Sequence, residues 1–335
     1  MKLPLKKIAG FTFVGVFLLV VVGLFATGLW RAFAGPNARA VTNLTFEATP
    51  ARMERGKYLV ENVTGCLHCH SDRDWKGDGS PIEARKGAGA FFYGAPGTLH
   101  APNITSDKET GVGAWSDDEL ARAIREGVSR DGRALFPIMP YMNYRNMSDE
   151  DLAAVVVYLR TLPPIRNVVE KPKLDFPLNF LVNTMPQPLD SPVPAADVST
   201  QVKRGEHLFT LASCSDCHTP QEKGAPMPGM FLAGGFMFNE PPGETTSPNI
   251  TPDPSGISYY DETLFLEMMR TGQVKARKLN VTMPWNLYGK MTDDDLKAIF
   301  AYLKTVPAVN HKVDNTEPPT PCKVCKGRHG FGDRN

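Results

Sequence analysis

Apolar positions return at three- and four-residue spacing in matched stretches of the two halves of the chain. The period predicts helices over 116–126 and 261–270, with Ser116 and Asp261 placed to cap them. The clearest helical patterns run over 148–162 and 292–306. Ser148 or Thr292 stands at the cap, acidic residues follow it at the positive end of the helix, and proline comes just after. Shorter helices are expected over 55–62 and 204–211, each running into a pair of cysteines. The stretches 77–97 and 223–246 are rich in Gly and Pro, hold no steady period and read as loops.

One apolar run is of another kind. Ile8 to Trp30 is 23 residues without a charge, preceded by Lys2, Lys6 and Lys7. As a helix it would extend about 35 Å, enough to span a bilayer. The lysines before it predict a cytoplasmic N-terminus, with everything after about Arg31 on the far side. The rival expectation is a cleaved signal peptide, because Ala32-Phe33-Ala34 has the small-x-small form.

The helical pattern repeats because the chain does. "RGKYLVENVTGCLHCH" (55–70) answers "RGEHLFTLASCSDCH" (204–218), and "APNITSDKETGVGAW" (101–115) answers "SPNITPDPSGISYY" (247–260). "IMPYMNYRNMSDEDLAAVVVYLRTLPP" (138–164) answers "TMPWNLYGKMTDDDLKAIFAYLKTVPA" (282–308). The expected organisation is an anchor or signal over 1–33, a spacer over 34–50, a first domain over 51–165 and a Pro-rich linker over 166–198. A second domain over 199–310 and a cysteine-containing tail over 311–335 complete it.

The 335 residues carry 37 Lys plus Arg against 36 Asp plus Glu, a formal net charge of +1, a balance that gives no support to nucleic-acid binding, which would need a basic face. All six cysteines lie in Cys-x-x-Cys pairs: Cys66/Cys69, Cys214/Cys217 and Cys322/Cys325. Such pairs serve zinc, dithiol redox couples or covalent haem. A zinc reading of the first pair would use His68, but its counterpart in the repeat is Asp216. The first two pairs are each followed at once by histidine, His70 and His218, the spelling of c-type haem attachment. Met139 and Met283, each before proline and an aromatic, stand at equivalent places downstream as sixth iron ligands. Met142, Met147 and His100 compete with Met139. Met147 matches Met291 just before a helix, which suits packing.

These motifs resemble the class I cytochrome c family, with Cys-x-x-Cys-His near the domain start and a methionine near its end. The paired "PNIT" and "MP[YW]…M[ST]D" segments look more narrowly like the cytochrome c subunits of membrane-associated bacterial sugar and alcohol dehydrogenases. The resemblance implies a mainly α fold, two tandem class I cytochrome c domains behind one transmembrane helix. It also implies two covalent haem c groups. Close helix contacts at Gly56 near Tyr158 and Gly205 near Tyr302 are expected, and Asn103 and Asn249 either cap a turn or face the haem edge. The expected function is single-electron transfer between a dehydrogenase or quinol-oxidising complex and a terminal acceptor. Its expected location is the bacterial inner membrane through residues 8–30, with periplasmic haem domains and redox proteins as partners. Alternatives are an integral subunit of a larger respiratory complex, or a haem enzyme of peroxidase or thiol-oxidising type with one open iron.

The third pair departs from the pattern. Lys326, not histidine, follows Cys325. A disulfide between Cys322 and Cys325, a metal site with His329 and His311, and a third haem all remain open.

Overall fold

The computed structural model describes residue 19, residues 22–24 and residues 26–332. The two halves follow one plan. The first has α1 (Pro50–Tyr58), a π-helical turn (Leu59–Val63), α2 (Cys66–Cys69), α3 (Asp117–Glu126), α4 (Tyr141–Tyr144) and α5 (Asp149–Leu159). The second has α6 (Gln201–Leu211), α7 (Cys214–His218), α8 (Glu262–Thr271), α9 (Trp285–Tyr288) and α10 (Asp293–Leu303).

Local chemistry sets the helix ends. Ser116 and Glu119 form a reciprocal capping box at α3, and Asp261 accepts from the Leu264 amide at α8 (2.8 Å). Ser148 and Thr292 cap α5 and α10 through the amides three residues on, with three acidic residues in each first turn. The first helix of each half starts earlier than its apolar pattern suggests, because Thr49 and Thr200 supply caps. Gly127 and Gly272 end α3 and α8 with positive φ. A Cβ on either would come within 2.6 Å of the Tyr141 ring or 2.5 Å of the Trp285 ring.

The expected loops hold short hairpins: β1 (Ala90–Phe92) with β2 (Gly97–Ala101), and β4 (Met237–Glu240) with β5 (Gly243–Thr246). Strands of three to five residues are too short to display a clear alternation. From the linker, β3 (Lys173–Leu174) adds to β2, and Arg145 donates to the Pro188 carbonyl (3.1 Å), so the linker lies on the first half. The spacer lies there too: Arg39 pairs with Asp118 (2.6 Å) and Glu126 (2.8 Å) of α3.

In each half the first helix packs on the last, α1 on α5 and α6 on α10, and a continuous apolar core joins the halves. Across the seam Tyr58 donates to Asp295, Asn143 donates to Asp216 (2.9 Å), and Arg73 donates to the Val281 carbonyl (2.7 Å).

One expectation is overturned. Among the described residues no helix is long and apolar enough to cross a membrane. Over the described end of the apolar run, a turn at 27–30 with Gly28 at φ +73° breaks the helix, and a four-residue helix (Arg31–Ala34) docks on the linker through Phe33 and Phe180. Residues 8–18, 20, 21 and 25 of the expected span lie outside the described residues. The transmembrane helix over 8–30 is therefore withdrawn, and with it the inner-membrane localisation and the cytoplasmic N-terminus.

Candidate functional site

Each Cys-x-x-Cys-His segment is a single helical turn entered from a residue in the left-handed region, Gly65 before α2 and Ser213 before α7. That turn sets both sulfurs and the imidazole at one end of the long first helix. The "PNIT" loop then fixes the ring. His70 Nδ1 donates to the Pro102 carbonyl (2.7 Å) and His218 Nδ1 to the Pro248 carbonyl (2.9 Å). With the proton on Nδ1, the Nε2 lone pair is left for a metal. Burial pushes both imidazoles below the ordinary histidine value, so they are neutral, as ligation requires.

The PNIT asparagines hold these loops from within the fold rather than touching the sulfur side. Asn103 donates to the Ile165 carbonyl (2.8 Å) and accepts from the Thr105 amide (2.9 Å). Asn249 repeats both contacts with the Val309 carbonyl (2.8 Å) and the Thr251 amide (2.9 Å). The repeated motif was the signal for this role, and only the fold shows what it binds.

Met139 and Met283 sit on half-buried turns before α4 and α9, packed against the core, and their backbones accept from Tyr141 (2.7 Å) and Trp285 (2.8 Å). Met147 and Met291 are almost fully buried core residues, whereas Met142 is 49% exposed. His100 lies on β2 against the Phe91 ring, and His207 is half-buried on α6. His68 is buried beside the first pair with both ring nitrogens unpartnered among the described residues.

The thiols do not suit dithiol chemistry. Burial pushes Cys69 up to about 11 and Cys214 up to about 12, and Cys66 and Cys217 upward as well. A reactive dithiol needs the opposite shift. Cys69 and Cys217 are nevertheless the exposed members of their pairs, with Cys66 and Cys214 half-buried. Two further polar atoms in matching positions, the Tyr141 hydroxyl and the Trp285 indole N–H, are buried with no partner among the described residues. Native interiors rarely leave such groups unsatisfied by protein, water or ligand. Paired sulfurs, an oriented neutral imidazole, a half-buried thioether and an unsatisfied donor together fit covalent haem.

The two sites are neighbours. Leu287 of α9 packs on Gly65 (3.2 Å from a Cβ there), and Asn143 of α4 holds Asp216 inside the second motif. Each methionine-bearing segment thus leans on the other half's attachment loop.

Comparison with known proteins agrees with this duplication. The cytochrome c family model matches residues 53–163 and 202–307. The chain is 30% identical to a dihaem cytochrome c-type protein of Cereibacter sphaeroides over 302 residues, 88% of this chain and 97% of that one. It is 29% identical to the cytochrome c subunit of an alcohol dehydrogenase (quinone) of Gluconacetobacter polyoxogenes, over 79% of this chain and 58% of that one. It is 30% identical to the fructose dehydrogenase cytochrome subunit of Gluconobacter japonicus, over 82% and 57%. Against these dehydrogenase subunits the chain spans little more than half their length. With both halves matched and the attachment chemistry in place, this chain belongs to the cytochrome c family, whose domains carry covalently bound haem c.

Proposed function

We propose that the chain is a dihaem electron-transfer protein that takes single electrons from a dehydrogenase and passes them to an acceptor protein. The observation that carries this is the meeting of two equivalent attachment sites across one seam, each buttressed by the other half. Haem c held there supplies a one-electron iron couple. Cys66 and Cys69, and Cys214 and Cys217, are the thioether anchors. His70 and His218, held in one tautomer by the Pro102 and Pro248 carbonyls, would each give Nε2 to an iron. Met139 and Met283 would each supply a thioether sulfur to an iron.

If a histidine and a methionine were both given to each iron, no open iron site would remain for a small substrate, which would favour electron passage over chemistry on a bound molecule. The dehydrogenase partner is supported by the relatives whose names couple them to alcohol and fructose oxidation. The test is covalent haem per chain, by reduced pyridine haemochrome with intact mass, and carbon monoxide binding to the reduced protein. Two haems and no carbon monoxide binding are expected. One haem, or stoichiometric carbon monoxide binding, would overturn the proposal.

A further inference from the structure

The tail beyond the second domain is not used by either attachment site, yet it is ordered around a cluster of its own. His311, Cys322, Cys325 and His329 are 0%, 3%, 2% and 1% exposed, and one ligand atom from each lies within 4.8 Å of the others. We propose that these four residues form a structural zinc site that fastens the tail to the second haem domain.

The donor atoms already face one another. His311 Nε2 lies 3.7 Å from Cys322 Sγ, and His329 Nε2 lies 3.3 Å from Cys325 Sγ. A tetrahedron with zinc–sulfur near 2.3 Å and zinc–nitrogen near 2.0–2.1 Å sets adjacent sulfur and nitrogen about 3.6 Å apart. Each ring is oriented from behind: His311 Nδ1 donates to the Ala233 carbonyl (2.8 Å) and His329 Nδ1 to the Gly330 carbonyl (2.5 Å). Both Nε2 lone pairs are thereby turned to the sulfurs, the outer-shell arrangement of metal-bound histidine.

The sulfurs sit on a tight turn, β6 (Thr320–Pro321) pairing with β7 (Arg328–His329), in which the Cys322 amide donates to the Gly327 carbonyl (2.8 Å) and the Cys325 amide approaches Cys322 Sγ (3.5 Å). Gly235 forms the floor, since a Cβ there would lie 2.9 Å from Cys325 Sγ and 3.0 Å from His311 Cε1. Two thiols bind as thiolates with release of their protons, so the divalent ion and its ligands carry no net charge, which makes full burial tolerable. Two soft sulfurs and two imidazoles in a closed site select zinc. A third haem is disfavoured, because Lys326 is exposed and donates to the Lys323 carbonyl, away from the sulfurs.

The repeat shows what the site does. In the first half Asn167 Nδ2 donates to the Ala88 carbonyl (2.7 Å), next to Gly89, whose amide donates to the His70 carbonyl. In the second half His311 occupies that position, donating to Ala233 next to Gly234, whose amide donates to the His218 carbonyl. Exchanging the amide for an imidazole keeps the strut and adds a nitrogen for metal. The zinc therefore braces the second attachment loop through a single side chain.

The test uses the haem-loaded full chain purified without chelator. Metal analysis should give one zinc per chain, and zinc-edge X-ray absorption should give a shell of two sulfurs and two nitrogens. The Cys322→Ser/Cys325→Ser double variant should lose the zinc, keep the wild-type haem content, and lose its tail to limited proteolysis roughly tenfold faster. Should that variant fail to accumulate, the wild-type chain decides alone. A metal-free chain with Cys322 and Cys325 joined as a disulfide, or haem on the peptide that holds them, would overturn the site. The haem count of the same sample bears on the electron-transfer proposal separately.

Discussion

Gly56 lies so close to Ala154 that a Cβ on it would fall well inside the contact radius of the Ala154 carbonyl oxygen, and only 2.8 Å from Tyr158 Cβ. Gly205 stands in the same relation to the Ala298 carbonyl, with the Ile299 amide 3.0 Å from a Cβ there. The first and last helices of each half meet backbone to backbone at these points. Because the obstructing atom is backbone, it cannot swing aside. Gly56→Ala and Gly205→Ala should each cost about 3 kcal/mol, the upper part of the range for overpacking. Denaturant unfolding checks this, and a loss below about 1 kcal/mol would mean that the helices separate easily.

Asn103 and Asn249 tie the PNIT loops to the chain leaving α5 and α10. Asn103→Ala or Asn249→Ala strands a buried carbonyl and a buried amide, at a cost of about 1–3 kcal/mol. The same loops carry the Pro102 and Pro248 carbonyls that orient the imidazoles. Each variant should therefore move the reduction potential of its own haem while leaving the other haem's potential in place. Spectroelectrochemical titration reads this directly, and an equal movement of both potentials would count against a local role.

The methionines divide by burial. Met139→Ala and Met283→Ala should each remove the methionine charge-transfer band of one haem. Met147→Ala and Met291→Ala should keep both bands yet cost about 2–5 kcal/mol, because both side chains are core residues. Met142→Ala should do neither, since that side chain is half in solvent. Retention of both bands in the first two variants would send the search for axial ligands elsewhere.

Arg39 serves two nearly inaccessible carboxylates. Burial raises Asp118, but hydrogen bonds from Arg39 and Thr42 outweigh it and hold the group below the carboxylate range. Burial leaves Glu126 raised despite the same guanidinium. Asp118 thus adds stability above its unfolded pKa that is lost as pH falls through its folded value. Glu126 acts in the opposite sense, its contribution fading as pH rises. Arg39→Ala removes the cation from both, so both would be raised and the variant would lose stability as pH rises past about 4. The deficit should reach about 3 kcal/mol at neutral pH and shrink in acid. Thermal unfolding across that interval tests the sign.

Much of this was legible in the chain because it is local. A helix cap acts over three residues, and Cys-x-x-Cys-His spans one turn, so the caps at Ser116 and Thr292 and the position of both motifs at the end of a first helix could be read in place. The duplication was legible as well, since three long segments that answer one another in the same order do not arise by chance. The anchor expected over 8–30 rested on the length of the apolar run and the lysines before it, and neither shows where Gly28 turns the chain.

What only the tertiary structure decided depends on groups distant in sequence. The spelling of "PNIT" did not say that its proline carbonyl would meet an imidazole 32 or 30 residues earlier. The third cysteine pair was open to disulfide, metal or haem for the same reason. What favours metal is His311, 11 residues upstream of Cys322, and the Ala233 carbonyl, 78 residues before His311, which turns the ring toward the sulfurs. Residue types set which chemistry is available. Convergence of donors in a dry interior sets which one is used, because a buried imidazole or thiol must find its partner in space rather than along the chain.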